Sequence, residues 1–271
     1  KSSNLKLSEI DKIIFYENPQ LKFNRIIKSY LLHSTFKSYA SFCKAMFSWL
    51  NKKLFYKKHL LLLLKKNDVN FSDKKKIFFV NHHFSHASSA YYPSPYDEAI
   101  ILTADGVGEF TTTSVAIGKK NKIDIIKEIH FPDSLGMLYS SFTYYVGFKV
   151  NSGEYKLMGL APYGQPIYKD LILKNLIDVK SDGSFKLNLK YFDYVAGSKM
   201  INKSFENLFG KKKRLPSQNI TQFHMDIASS IQCVLEEIII KICTSIQKEY
   251  KIRNLCLAGG VALNCVVNGK I

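Results

Sequence analysis

Three histidines fall within five residues of the chain, His82-His83-Phe84-Ser85-His86. On a helix, His82 and His86 are four positions apart and share one face. Two imidazoles so spaced can bind a single divalent cation. The zinc-peptidase version of this pattern carries Glu after its first histidine. Here that position is His83, so no general base is supplied and peptidase chemistry is not expected. A polar helix start has the same spelling, and the residues alone leave both readings open. Asp105 closes an apolar run and is followed by Gly106 and Gly108. A carboxylate there can hold a metal or a metal-bound water near phosphates, with glycine letting backbone amides come close; an ordinary hairpin turn fits as well. Gly259 and Gly260 lie between a strand-like run and a helix-like one, where backbone N–H groups can meet a nucleotide, with Asn264 one turn further on. A plain turn reads the same. Lys156, in SGEYKLMGLAPYG, could neutralise an oxygen of a phosphate or of carbamoyl phosphate, or be one more surface lysine. No Walker loop, nucleophile elbow or dinucleotide fingerprint is present.

The elements that would position these groups follow from periodicity and breakers. Residues 13–16 (IIFY) read as a short buried strand, and 20–66 as two or three helices, almost free of Gly and Pro. Residues 76–81 form a strand. A helix starts near His82 and runs to Tyr92, stopped by Pro93 and Pro95. Residues 98–104, 110–117 and 123–130 predict a β-meander whose first turn holds Asp105. Residues 134–148 read as a helix with Ser or Asp near its start, and 151–164 as a loop. The stretch 166–215 carries no clear pattern. Apolar residues at Ile227, Ile231, Val234, Leu235, Ile238, Ile242 and Ile246 predict a long helix over 221–248, with Thr221 as its cap. Residues 254–258 read as a strand and 261–268 as a helix, so the chain ends inside what looks like a βα unit.

Composition bounds the class. Of 271 residues, 46% are hydrophobic and 23% charged, a globular balance. The formal net charge of +17 rests on 39 basic residues, but only Arg25, Arg214 and Arg253 are arginines. Lysine is a poor substitute for arginine in bidentate recognition of bases, so no nucleic-acid partner is expected. Five widely spaced cysteines without a CxxC signal neither a disulfide framework nor a thiolate zinc site, and point to a reducing cytoplasm. No segment is apolar for long enough to span a membrane, and no signal peptide is expected.

Four segments occur in one order: VNHHFSHASSAYYPSPYDEAIILTADGVGEFTTT, SLGMLYSSFTYYVGF, SGEYKLMGLAPYG and LAGGVALNCVVNGKI. Together they resemble the nodulation-protein and tobramycin-type O-carbamoyltransferases, from about residue 10 to the end. The resemblance implies an α/β, actin-like ATPase (ribonuclease-H-like) fold, incomplete at both ends. It implies a first lobe over 1–215, lacking its initial strand and phosphate loop, and the start of a second lobe over 216–271. It implies Fe(II) or a similar cation on His82, His86 and Asp105. Gly136, Gly259, Gly260 and Asn264 would line a site for ATP or carbamoyl-adenylate. The implied reaction makes carbamoyl-adenylate from ATP and carbamoyl phosphate, then passes the carbamoyl group to a hydroxyl of a sugar or other small acceptor. Asp105 and Lys156 are the expected catalytic groups. The second aspartate of the family's metal site and its adenylate-forming domain have no counterpart here, so weak or no activity is expected of this chain alone. A tRNA-binding threonylcarbamoyl-transfer relative and an inactive remnant are the competing readings.

Overall fold

In the computed structural model, residues 5–33, 39–49 and 55–271 are described. The chain begins with β1 (Ile13–Phe15), then α1 (Pro19–His33), α2 (Tyr39–Ser48), α3 (Tyr56–Asn67) and β2 (Ile77–Phe79). β1 and β2 pair in parallel, Ile13 opposite Ile77. Strand β1 was expected to be buried, yet Ile14 is 61% exposed. A two-stranded sheet has only one covered face here, where Ile77 packs with Leu61 and Phe71.

α4 (His82–Tyr91) starts where the sequence predicts, and its cap is Asn81, whose side chain accepts from the Phe84 N–H. β3 (Glu98–Ala104), β4 (Thr111–Lys119) and β5 (Lys122–His130) form the expected antiparallel meander. α5 (Leu135–Tyr145) follows, capped by Ser134, whose Oγ accepts from Met137 N–H at 3.0 Å. Residues 151–164 differ from the expected loop. They contain α6 (Glu154–Leu160) and a 3-10 turn over Ala161–Tyr163. Gly153 and Gly164 flank these pieces, Gly159 and Pro162 are taken up within them, and Leu157 and Ala161 are buried in the core. The unpatterned stretch holds α7 (Lys169–Asn175), the hairpin β6 (Ile177–Val179) and β7 (Phe185–Leu187), and α8 (Lys203–Phe209).

α9 (Gln222–Tyr250) is the long helix, and all seven apolar positions singled out above are buried in it. Thr221 caps it, with His224 Nδ1 accepting from the Thr221 N–H at 3.0 Å. β8 (Leu255–Ala258) then joins β3 in parallel, giving the strand order β5-β4-β3-β8. The helix expected over 261–268 is broken into a 3-10 turn, Gly260–Leu263, and α10 (Cys265–Asn268). Asn264 makes the break, because its side chain caps α10 by accepting from Val267 N–H at 3.1 Å.

The mixed sheet is covered on both sides. Alternate residues of β3 point to opposite faces. Ala99 and Ile101 meet Ala87 and Tyr91 of α4. Ile100 and Leu102 join the larger cluster with Leu138 and Phe142 of α5 and Ile231 and Leu235 of α9. Full burial of such side chains contributes roughly 1.5–3 kcal/mol each. Both helix layers are thereby fixed against the strand that leads into Asp105. The same cluster runs continuously across residue 215, joining Phe205 and Phe209 to Phe223 and Ile227. Among the described residues no helix is long and apolar enough to cross a membrane, and the five cysteines are free thiols.

Candidate metal centre and adjoining cleft

The β3–β4 turn and α4 bring together residues that are 19 to 23 positions apart. Asp105 Oδ2 lies 3.0 Å from His82 Nε2 and 3.3 Å from His86 Nε2, and the two ring nitrogens are 3.1 Å apart. The imidazole planes are nearly perpendicular, at 89°. One donor atom from each residue lies within 4.8 Å of the others. Two imidazole nitrogens and one carboxylate oxygen aimed at a common point fit a divalent cation of the Fe(II) or Zn(II) type. Among the described residues the buried Nδ1 of His82 has no hydrogen-bond partner, and Glu17 Oε2 stands 3.9 Å from it. A metal-ligating histidine ordinarily has its second nitrogen oriented by such a carboxylate.

Burial pushes the Asp105 carboxyl up, but hydrogen bonds from His82, His86 and the Gly106 N–H outweigh it and hold the group well below the ordinary carboxylate range. Asp105 is therefore an anion wherever the protein is folded near neutrality. His83 turns the other way. It is 1% exposed and its Nδ1 meets Ser114 Oγ at 2.8 Å. Burial pushes its imidazole down to about 4, and the neighbouring His82 and His86 act in the same direction. Of the three histidines, His83 is thus a neutral core residue and the other two face Asp105.

Asp105 also forms one wall of a cleft of about 380 Å³, a size suited to a small ligand. Its Oδ1 accepts from Gly106 N–H at 2.7 Å and from Gly260 N–H at 3.3 Å. The glycine pair after β8 therefore reaches the same carboxylate as the histidines, from 155 residues away. Gly260 and Asn264 line the cleft, together with Gly136 of α5. A Cβ on Gly136 would come within 2.6 Å of Asp105 O and Gly106 N, so a side chain cannot be added without moving the turn. Gly259 does not line the cleft. It adopts φ +88°, a left-handed value that favours glycine, and turns the backbone so that Gly260 can donate.

Asn264 is committed within the protein. Besides capping α10, its Nδ2 donates to Gln232 Oε1 at 2.9 Å, and Tyr139 O–H donates to the same oxygen at 3.0 Å. Gln232 Nε2 donates to Glu236 Oε1 at 2.9 Å, which makes a buried polar floor under the cleft. Lys156 lies elsewhere. It is exposed on α6, with Nζ 5.9 Å from the Tyr155 ring, and is not among the residues lining the cleft. Two residues earlier, Glu154 does line it, and its carboxylate accepts from Ser140 Oγ at 2.8 Å and Asn151 N–H at 2.9 Å. Positions two apart on a helix are on different faces, so one of the pair faces inward and the other out.

Three carboxylates were not foreseen as parts of the site. Two are Glu17, beside His82 Nδ1, and Glu154. The third is Glu109, 3% exposed, whose Oε2 accepts from His82 N–H at 3.2 Å and whose Oε1 accepts from Asn18 N–H. It joins the starts of α1 and α4, where the positive ends of the helix dipoles favour an anion. The only sequence signal was its place in the segment TADGVGEF.

Comparison with known proteins bears on this site. The profile of the family described as "Carbamoyltransferase N-terminus" matches residues 1–271. The uncharacterized protein sll1178 of Synechocystis sp. is 51% identical over 270 residues, covering 99% of this chain and 44% of that protein. Nodulation protein NolNO of Sinorhizobium fredii is 35% identical over 199 residues, 73% of this chain and 28% of its own length. Nodulation protein NolO of Bradyrhizobium diazoefficiens is 32% identical over 192 residues, 71% and 33% respectively. The chain thus spans less than half the length of these relatives.

Proposed function

The chain belongs to the carbamoyltransferase family, by the domain that forms that family's N-terminus, and from that premise we propose that it supplies the metal centre and nucleotide cleft of an O-carbamoyltransferase. The donor in this reading is carbamoyl-adenylate, made from ATP and carbamoyl phosphate, and the acceptor is a hydroxyl of a sugar or other small molecule. The hydroxyl oxygen forms a bond to the carbamoyl carbon, and the bond from that carbon to the phosphate oxygen breaks. AMP leaves with the bonding pair, and one proton is released. The fold proposed for this machinery is the actin-like one, whose antiparallel meander with a parallel fourth strand agrees with the strand order observed here.

His82, His86 and Asp105 would hold Fe(II) or a similar cation. A cation so held supplies Lewis acidity towards phosphate and carbamoyl oxygens. The chain's own groups do the remaining work. Asp105 stays anionic and fixes the Gly106 and Gly260 amides around one carboxylate oxygen. Gly136 keeps the cleft open beside the Asp105 turn, and the network of Tyr139, Gln232 and Asn264 holds the cleft floor rigid. Glu154 is pinned by Ser140 and Asn151 and so orients the far wall.

The observation that carries this reading is the double use of Asp105, with one oxygen on two imidazoles and the other on the amide of Gly260 at the cleft wall. It is tested with the full chain under anaerobic conditions, using Co(II) as an optical probe of the site and calorimetry for AMP. Saturable 1:1 Co(II) binding that is lost in His86→Ala, and AMP binding lost in Gly136→Val, are expected. Co(II) spectra unchanged by His86→Ala would refute it.

A further inference from the structure

A second basin lies along a neighbouring face of α5, with a volume of about 590 Å³. Gly136, Tyr139 and Ser140 face the cleft, whereas Met137 and Tyr144, seven residues apart and so on one stripe of the helix, face the basin. The two sites nearly touch, because a Cβ on Gly106 of the Asp105 turn would stand 3.9 Å from Met137 Sδ.

The basin is built from aromatic faces and positive charge. Tyr144, Phe148 and Tyr194 line it together with Lys149, Lys199 and Lys213. Tyr194 is held by donating its O–H to Pro132 O at 2.8 Å. Lys213 Nζ stands 3.5 Å from the centre of the Tyr144 ring, a cation–π contact that fixes its position. A fourth charge is buried behind Phe148. Arg214 is 6% exposed, and its guanidinium carbon is 5.6 Å from that ring. Its N–H groups are spent on backbone carbonyls, Nε on Val146 O at 2.6 Å and Nη1 on Leu215 O at 3.2 Å. Among the described residues no carboxylate forms an ion pair with it.

No lining residue is acidic. Asp193 packs against Gly197, and Glu206 accepts from the backbone N–H of Lys213. Neither forms an ion pair with the three lysines. Like charges gathered without counter-charges raise the cost of the empty site and favour an anion. Three lysines act as point charges on a phosphate or carboxylate, and the ring faces suit the apolar side of a sugar or other cyclic body.

We propose that this basin binds the charged portion of a phosphorylated, ring-bearing small molecule, and that this molecule is the hydroxyl acceptor. The assignment to the acceptor rests on the carbamoyl-transfer reading; the binding site itself does not. A basin on the face of α5 next to the cleft, with Met137 beside the Asp105 turn, can anchor an acceptor's anionic end while its hydroxyl reaches round the start of α5.

The test is calorimetry on the full chain with glucose 1-phosphate as probe and glucose as its uncharged control. Saturable binding of glucose 1-phosphate is expected, with glucose weaker by about tenfold or more, as loss of charge-assisted hydrogen bonds requires. The triple variant Lys149→Met, Lys199→Met, Lys213→Met should weaken the probe by at least about tenfold, while the triple Lys→Arg variant retains it and confirms that the fold tolerates change there. Leu263→Trp, at an exposed position that lines the cleft and not the basin, should leave the probe's affinity unchanged. Absence of saturable binding, equal affinity for glucose, or an unchanged affinity in the Lys→Met variant overturns the site. Loss of probe binding in Leu263→Trp overturns it too, since the ligand would then lie in the cleft. Displacement of the probe by carbamoyl phosphate at equal concentration overturns the acceptor assignment and makes the basin a donor site. Failure of AMP binding with the probe still bound refutes the cleft reading alone.

Discussion

Replacing Glu109 separates the metal centre's scaffold from its ligands, because this residue touches neither a candidate cation nor the cleft. Its carboxylate is 3% exposed and accepts one N–H from the first residue of α4 and one from Asn18, the residue before α1. Glu109→Ala leaves both donors without their acceptor. A hydrogen bond to a charged group contributes about 1.5–3 kcal/mol, and the anion's interaction with two helix starts adds about 0.3–1 kcal/mol for each. The pair is not fully additive, since both bonds share one side chain, so a loss of about 3–5 kcal/mol is expected from two such bonds. Glu109→Gln keeps one acceptor oxygen and turns an NH2 towards the other donor, and should cost about half as much, roughly 2 kcal/mol. Urea unfolding of the wild type and both variants reads this as a shift in midpoint at constant slope. Co(II) titration of the same proteins should show weaker binding in the order wild type, Gln, Ala, because His82 is the residue whose backbone is released. A loss under about 1 kcal/mol for Glu109→Ala, or a Gln variant as unstable as the Ala variant, would refute the two-bond argument.

His83 gives the chain a pH dependence with a definite sign. Its folded-state value of about 4 lies below the ordinary histidine value of 6.5, so the unfolded chain takes up the proton first as pH falls. Stability should drop between pH 6.5 and about 4, by on the order of 3 kcal/mol, in metal-free protein, and His83→Gln should flatten that part of the profile. Asn264→Ala removes a helix cap and leaves Gln232 short of a partner, and should lower the urea midpoint by about 1–3 kcal/mol while weakening AMP binding. Lys156→Met, at an exposed position away from the cleft, should leave AMP and Co(II) affinities unchanged; a tenfold loss in either would restore a direct role for that lysine. Ile238→Ala, in a position fully buried in α9, should cost about 2–5 kcal/mol through the cavity it leaves, measured by thermal or urea unfolding.

Local rules were enough for the elements that repeat a simple period. The seven apolar positions of α9, the buried strand β3, and the caps at Ser134 and Thr221 are properties of neighbouring residues, and they stand in the fold as the sequence implies. The spacing of His82 and His86 likewise puts two imidazoles on one helical face before any tertiary contact forms. Such rules failed where packing overrode composition. The glycine-rich 151–164 stretch contains α6 because Leu157 and Ala161 bury themselves in the core, and the last helix breaks because Asn264 turns its side chain to cap it. The contacts that make a site were out of reach of local reasoning. Glu109 meets Asn18 across 91 residues, and Gly260 meets Asp105 across 155. Those meetings depend on α4 and α9 packing on opposite faces of one sheet and on β8 choosing β3 as its partner. Hydrogen bonds within a helix or turn are set by dihedral angles a few residues apart; which carboxylate faces an imidazole or a distant amide is set by how whole layers stack, and only the tertiary structure decides that.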